Sequence, residues 1–357
     1  MQIDMHFYGA YALSRAAGIT PQTASVIAYA SQFVDDAIDD EAIVLELPGR
    51  CAILPTMTSH KPIDYQNTLP GDQWKVWVPF HFLPGNDDTA ATFVGKMVCL
   101  KNSEPAKMML AHVVNQREAP FGPHLAGIAA HIYADTFSHY GVVGLGRDWN
   151  RVRNESIEIR GSDSIRHYLW ERFEEFKTRL AGSLAETIPV GHGSVGTFPD
   201  RPYLSWEYEY EPLDKYEPRR PVVRNNADDY MEACEGLYTF FSKFITDAPA
   251  YGDPAAAVPW ASVADTVFDI VTAEGTRDER VSRWKKAIAG GKLFDPAEED
   301  RTVDYDARLW KSAHISECLS KEETATGNDA CLFFKAAWMH RHYVLHQLLS
   351  SIGVIRY

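Results

Sequence analysis

The chain has 357 residues, 45% hydrophobic and 24% charged, the proportions of an ordinary globular protein long enough to bury a large core. A net charge of −14 argues against sequence-independent binding to duplex nucleic acid, whose phosphates need a basic face. Five scattered cysteines, odd in number and without C-x-x-C spacing, form neither a disulfide framework nor a thiolate zinc site, which makes a reducing compartment the default.

The opening MQIDMHFYGAYALSR lacks the basic start and apolar core of a signal peptide, and no run approaches eighteen apolar residues. The expectation is a soluble, cytoplasmic protein, exported only if a dedicated secretion system carries it. Asp4 and His6 precede or open a first helix over residues 5–17, ended by Gly18. Thr20–Pro21 starts a second helix, with Ile27, Ala30, Val34 and Ile38 on one stripe. Asp35 and Asp36 flank that stripe at similar angles on opposite sides, so periodicity does not choose between them as functional carboxylates. The plainer reading of four Asp in six residues is a solvated helix end.

From 42 to 84 the pattern changes. AIVLEL, CAIL and KVWVPFHFL are β-branched and aromatic, broken by turn residues, and read as a small β insert of two or three strands. His60, on a polar loop between prolines, is free to reach a site, whereas His81 reads as an aromatic core position. Asp87–Asp88 cap another helix, and 105–116 forms a further one, with His112 structural.

Residues 122–144, GPHLAGIAAHIYADTFSHYGVVG, follow. Pro123 suits the first helical turn and Gly141 lies just past the end. His131, Asp135 and His139 fall within an arc of about 80°, one turn apart, and His124 lies on the same stripe. From Gln116 to Arg147 the only charged side chains are Glu118 and Asp135. A helix that is apolar or small nearly all round is buried, and a buried carboxylate costs several kcal/mol unless something positive pairs with it. A divalent metal held by two imidazoles and the carboxylate satisfies all three side chains at once; the alternative is an Asp–His hydrogen-bond pair locking a core.

An amphipathic helix begins after Asp163, with Ile165, Leu169, Phe173, Phe176 and Leu180 as its core stripe. His167 and Glu171 stand at ligand spacing but on its charged face. Residues 189–212 read as a long Gly/Pro loop, with His192 between two glycines and Asp200 further on, then an aromatic block. His192 is read as a ligand or substrate contact. Helices are expected near 228–246, 262–273, 277–289, 306–320 and 330–352. The last holds His342 and His346 at i, i+4, read as partly buried structural residues. The organisation is then a metal-binding helical core with its β insert over 1–225, and C-terminal helices over 226–357 packed on the same domain. The fold class is mainly α, a multi-helix bundle around a central buried metal-binding helix.

HIYADTFSHYG resembles the H-x₃-D-x₃₋₅-H segment of the zinc-dependent phospholipase C superfamily, which includes the single-strand-specific zinc nucleases. That resemblance implies a mostly helical fold holding up to three zinc ions, with one to three Zn²⁺ or another divalent metal here. It implies His6 as the early His, Asp35 or Asp36 as the Asp, and His60 as the His after it. His131, Asp135 and His139 correspond to the central segment. The final His is His192 with Asp200 nearby, or His167 with Glu171. The family's secreted enzymes bind metal through a processed N-terminal Trp; no Trp is near here, and Asp4 is the carboxylate that would take its place. More closely still, DMHFYGAYALSRAAG, FVDD, TMTSHKP and GHGSVGTFPDRPYLSW resemble an uncharacterised microbial family related to those enzymes, over residues 1–210.

The resemblance implies phosphoester hydrolysis, phospholipase C-like or as a phosphodiesterase, with Asp35 or Asp36 orienting or deprotonating a water. Phe198, Tyr203 and Trp206 could line the mouth or pack the loop on the core. The acidic charge favours a small phosphoester or phospholipid headgroup as partner. Three other readings share the residues: a metal-dependent hydrolase of another bond such as an amide, a non-catalytic helical protein with a structural metal, and a secreted toxin.

Overall fold

A computed structural model gives the fold and describes residues 1–45, 51–60, 65–180, 190–213, 220–319 and 328–356. Helix α1 starts as a π-helical turn over Asp4–Gly9 and continues as α-helix over Ala10–Ala16. Helix α2 (Pro21–Asp36) is capped by the Thr20 hydroxyl, which accepts from the Thr23 N–H, with Pro21 in the first turn. A short antiparallel hairpin follows, β1 (Ile43–Leu45) and β2 (Cys51–Ile53), with Ile43 opposite Ile53.

The third expected strand is not one. KVWVPFHFL is helical: Pro70–Asp72, a π-helical turn over Gln73–Trp77, and Val78–Phe80 together form α3. Its β-branched and aromatic residues record burial instead of extended backbone, since Val76, Val78 and Phe80 are all in the core. Helix α4 (Phe93–Met97) begins four residues later than a cap at Asp88 suggests, because Thr92 supplies the cap to the Gly95 N–H. Helix α5 is Glu104–Asn115, capped by Ser103.

Helix α6 (Gly122–Ser138) is the centre of the bundle, and nearly every residue on it is buried. An uncharged helix needs apolar neighbours all round. Here α2 and α5 pack on it, as do two later helices, α8 (Asn226–Ile245) and the long C-terminal α12 (Asp329–Tyr343 and its extension). The α2–α6 contact is closest at Gly127, where a Cβ would stand 2.3 Å from the Ile27 carbonyl oxygen and 2.7 Å from Ala30 Cβ. Gly141, with φ +89°, turns the chain away just beyond α6.

Between α6 and α8 lie β3 (Glu158–Arg160), α7 (Asp163–Leu180), β4 (Ser205–Tyr210) and β5 (Arg220–Asn225). The strands form an antiparallel sheet in the order β3-β4-β5, with Trp206 opposite both Ile159 and Arg224. The aromatic block after the Gly/Pro loop is therefore a strand. Its alternation puts Trp206, Tyr208 and Tyr210 inside, where they join Ile165, Leu169 and Phe173 of α7 in a second, smaller core. The longer helices beyond α8 are α9 (Trp260–Thr272), α10 (Arg277–Ala289), α11 (Ser312–Leu319) and α12 (Asp329–Tyr343, extended by Val344–Leu348 and Leu349–Ser351). One continuous core runs from Met1 to Val354 and includes residues of α1, α2, α6 and α8 to α12. The fold is mainly α with small sheets, and among the described residues no helix is long and apolar enough to cross a membrane.

Gly127→Ala tests the α2–α6 approach. Ala is the better helix former, yet its methyl must displace the α2 backbone, so the variant should be less stable by about 1–3 kcal/mol. A lower urea midpoint at unchanged slope would show this.

Candidate metal centre

His131, Asp135 and His139 lie on or just beyond the last two turns of α6, and all three are buried. Asp135 is the hub. Its Oδ2 lies 3.1 Å from His131 Nε2, 3.4 Å from His81 Nδ1 and 3.5 Å from His139 Nδ1. Its Oδ1 lies 2.5 Å from the Met1 amine and 3.2 Å from His6 Nε2. Burial alone would raise the Asp135 pKa, but His139, the amine, His131 and His6 hold it well below the carboxylate range.

Among the described residues three donor groups result. His81, His131 and Asp135 form one; His6 and Asp35 with His131 form the second; His139, His192 and Asp200 form the third. Asp35 Oδ1, at 3.8 Å from His131 Nε2 and 3.9 Å from His81 Nδ1, links the first two. In the third group Asp200 lies 3.7 Å from His139 Nε2 and 3.9 Å from His192 Nε2, and the Met1 amine approaches it to 3.3 Å.

The ring nitrogens on the far side fix the tautomers. His131 Nδ1 donates to the Ser31 carbonyl at 2.8 Å and His81 Nε2 to the Thr58 carbonyl at 2.9 Å. His139 Nδ1 donates to the His81 carbonyl at 2.9 Å and His192 Nδ1 to the Gly196 carbonyl at 2.6 Å. Each imidazole therefore turns its other nitrogen towards a carboxylate oxygen or another imidazole, lone pair against lone pair wherever the ring is neutral. His6 is more exposed to this conflict: both its nitrogens are buried and neither makes a hydrogen bond. Burial, His131 and the amine push its pKa well below the usual value, and burial brings His139 down to about 4. At His131 burial is outweighed by Asp135 and Asp35, which raise its pKa. Where the imidazoles are neutral, a cation between them and the carboxylates would relieve the conflict. Backbone carbonyls that hold the outer nitrogen are the usual support of a metal-ligating His.

The spacing fits. Two ligands bonded at about 2.0–2.1 Å in tetrahedral geometry stand roughly 3.3 Å apart. His131 Nε2 and His81 Nδ1 are 3.3 Å apart, and the Asp135 oxygen is 3.1 and 3.4 Å from them. Two edges of the cluster open outward: the Asp35 side chain is 34% exposed and that of His192 20%, against 5% or less for His6, His81, His131, Asp135 and His139.

Several expected ligands are placed elsewhere. Asp4 is not in the cluster; it faces Arg280, whose Nε and Nη2 donate to its two oxygens at 2.7 and 3.2 Å. Asp36 accepts from the Tyr305 hydroxyl at 2.7 Å and from Gln32 at 3.1 Å, which leaves Asp35 as the carboxylate turned to the histidines. His60 is buried beside Trp77 and belongs to none of the three groups. His81, read from sequence as core, supplies the donor instead. His167 and Glu171 pair 3.1 Å apart on the exposed face of α7, so the closing residues are His192 and Asp200. The amine of Met1 was also missed. Burial alone would depress it, yet Asp135, Asp200 and Asp35 lift it to about 11.

Arg280 also donates to Gln2 Oε1 at 2.5 Å, so α10 holds the segment from which the amine and His6 enter the site. Arg280→Met should strand the buried Asp4 charge at a cost of about 3–5 kcal/mol, and Asp4→Asn combined with it should recover much of that loss. Denaturation of the two single variants and the double variant measures the coupling.

No curated protein and no solved structure matches this chain. Residues 1–348 match a family of unknown function, DUF6765, and the chain belongs to that family.

Proposed function

We propose that this protein is a metal-dependent hydrolase, with zinc the first metal to test and a phosphoester the bond it cleaves. One observation carries the reading: His81, His131, Asp135 and Asp35 converge at ligand spacing, with both imidazole N–H groups anchored to backbone carbonyls away from the centre. The order of donors along the chain supports the phosphoester bond. An early His, an Asp, a His, then H-x₃-D-x₃-H and a final His with its Asp follow the pattern of the zinc-dependent phospholipase C superfamily.

Metal ions held there would polarise a phosphoryl oxygen and acidify a water. The chain's own contribution lies in three arrangements. Asp135, with nitrogens of four histidines and the Met1 amine around its two oxygens, fixes the relative placement of the imidazoles. Desolvation raises the Asp35 pKa, and its partial exposure puts that carboxylate where a water proton can be taken up. His192 and Asp200 form the opposite rim. A site open on two edges suits catalysis better than a closed structural one.

The purified protein should contain two or three zinc ions by plasma mass spectrometry and hydrolyse bis(p-nitrophenyl) phosphate. His131→Ala and Asp135→Ala should lose metal and activity together, and His81→Ala should lose metal where His60→Ala keeps it. Asp35→Asn should lower kcat by roughly 10²–10⁴. No bound metal after zinc is supplied would overturn the reading. Full metal without turnover of any phosphodiester, but with turnover of an amide, would move it to that bond.

A further inference from the structure

Helix α7 and the turn after His192 enclose a pocket of about 200 Å³, whose walls include Gln2, Arg172, Phe173, Thr197, Phe198 and Arg201. It adjoins the cluster through the chain itself. Gln2 follows Met1, and Arg201 follows Asp200. Gly196, also on its wall, carries the carbonyl that holds His192. Arg201 is the unusual member. It is 5% exposed, its Nε has no hydrogen-bond acceptor, and no carboxylate among the described residues pairs with it. Its Nη2 donates to the Thr197 hydroxyl at 3.1 Å, and its guanidinium lies over the Tyr168 ring at 5.5 Å.

Arg172 covers the same ring at 5.7 Å, remains more than half exposed, and shares its charge with Glu175 at 3.0 Å. Two guanidinium groups against one carboxylate leave this pocket positive in a chain whose net charge is −14. A buried guanidinium without an anion costs several kcal/mol, and its fork of N–H groups matches carboxylate and phosphate oxygens. The lining also has an apolar part, Leu169 with the Phe173 and Phe198 rings, which lie 5.1 Å apart.

We infer that this pocket is an anion subsite: it holds a second anionic group of the substrate, phosphate or carboxylate, borne on an apolar or aromatic arm. The inference rests on the hydrolase reading and narrows its substrates to phosphoesters with a negative charge beyond the ester itself.

The test compares bis(p-nitrophenyl) phosphate with two p-nitrophenyl aryl phosphodiesters, one bearing a carboxylate and one a phosphonate on the second ring. The wild type should favour at least one charged ester in kcat/KM by roughly 10- to 100-fold, the worth of one hydrogen bond to a charged group. The better of the two identifies the anion. Arg201→Gln and Arg172→Gln should remove most of that ratio at unchanged metal content; Arg172 is exposed, so its variant folds even if the other does not. An equal ratio in wild type and Arg172→Gln overturns the subsite. If the metal-loaded wild type cleaves none of the three, the phosphoester reading fails and binding decides the pocket. Phosphonobenzoate should then raise Tm more than phenylphosphonate does in the wild type but not in Arg172→Gln, and equal shifts would sink it.

Discussion

A carboxylate buried in the middle of an uncharged helix is the constraint on which this molecule depends. Asp135 cannot stay ionised in the core without positive or donor partners, and α6 offers none of its own beyond two imidazoles. Apart from Arg201 in the adjoining pocket, the buried or half-buried arginines nearby are committed elsewhere. Arg280 pairs with Asp4, Arg15 with Asp300, and Arg224 donates to the Phe137 and Ser138 carbonyls at the end of α6. Asp135 is therefore served by nitrogen from four places in the chain: the amino terminus, α1, the end of α3 and α6 itself. Folding brings those pieces together around one carboxylate, and the excess of lone pairs that results is what a divalent cation would relieve.

The central helix was legible because its signal is the absence of charge, which few segments of this length show. Spacing then put His131, Asp135 and His139 on one face, and the glycines beside His192 marked the loop that closes the site. His81 was hidden by its context. Val, Trp and Phe around it suit a strand by propensity, but burial on a helix explains them equally well, and nothing local separates the two. The loop with His60 does reach the cluster, though through the Thr58 carbonyl and not through the imidazole. The sequence reading named the imidazole of this segment, whereas the contact to His81 comes from its backbone.

The choice between Asp35 and Asp36 shows a different limit. The two stand at equivalent angles on α2, so the decision rests on what each meets. Asp36 meets Tyr305, 269 positions away, and Asp35 meets the histidines. Asp4 is the same case: its partner Arg280 is 276 positions distant and gives no local sign of the pairing. Both corrections come from the C-terminal part of the chain, to which the sequence alone assigned only packing.

That part contributes no member of the three donor groups, yet it governs the site through α1. Asp4, Tyr8, Tyr11 and Arg15 recur at intervals of four, three and four, one stripe of the helix. Arg280 takes Asp4, Asp304 takes Tyr8, and Asp300 takes both Tyr11 and Arg15. A helix clamped by every polar head along one stripe is fixed in rotation as well as in position. His6 lies off that stripe, and the rotation so fixed is the one that stacks its ring on His131 at 3.8 Å with Nε2 towards Asp135. The π-helical turn over Asp4–Gly9 falls where both demands meet, with Asp4 facing α10 and His6 facing α6. Such turns recur at functional sites because one wider turn re-aims the side chains within it. The donors thus lie in the first 200 residues, while the angle at which one of them enters is set by residues 280 to 304.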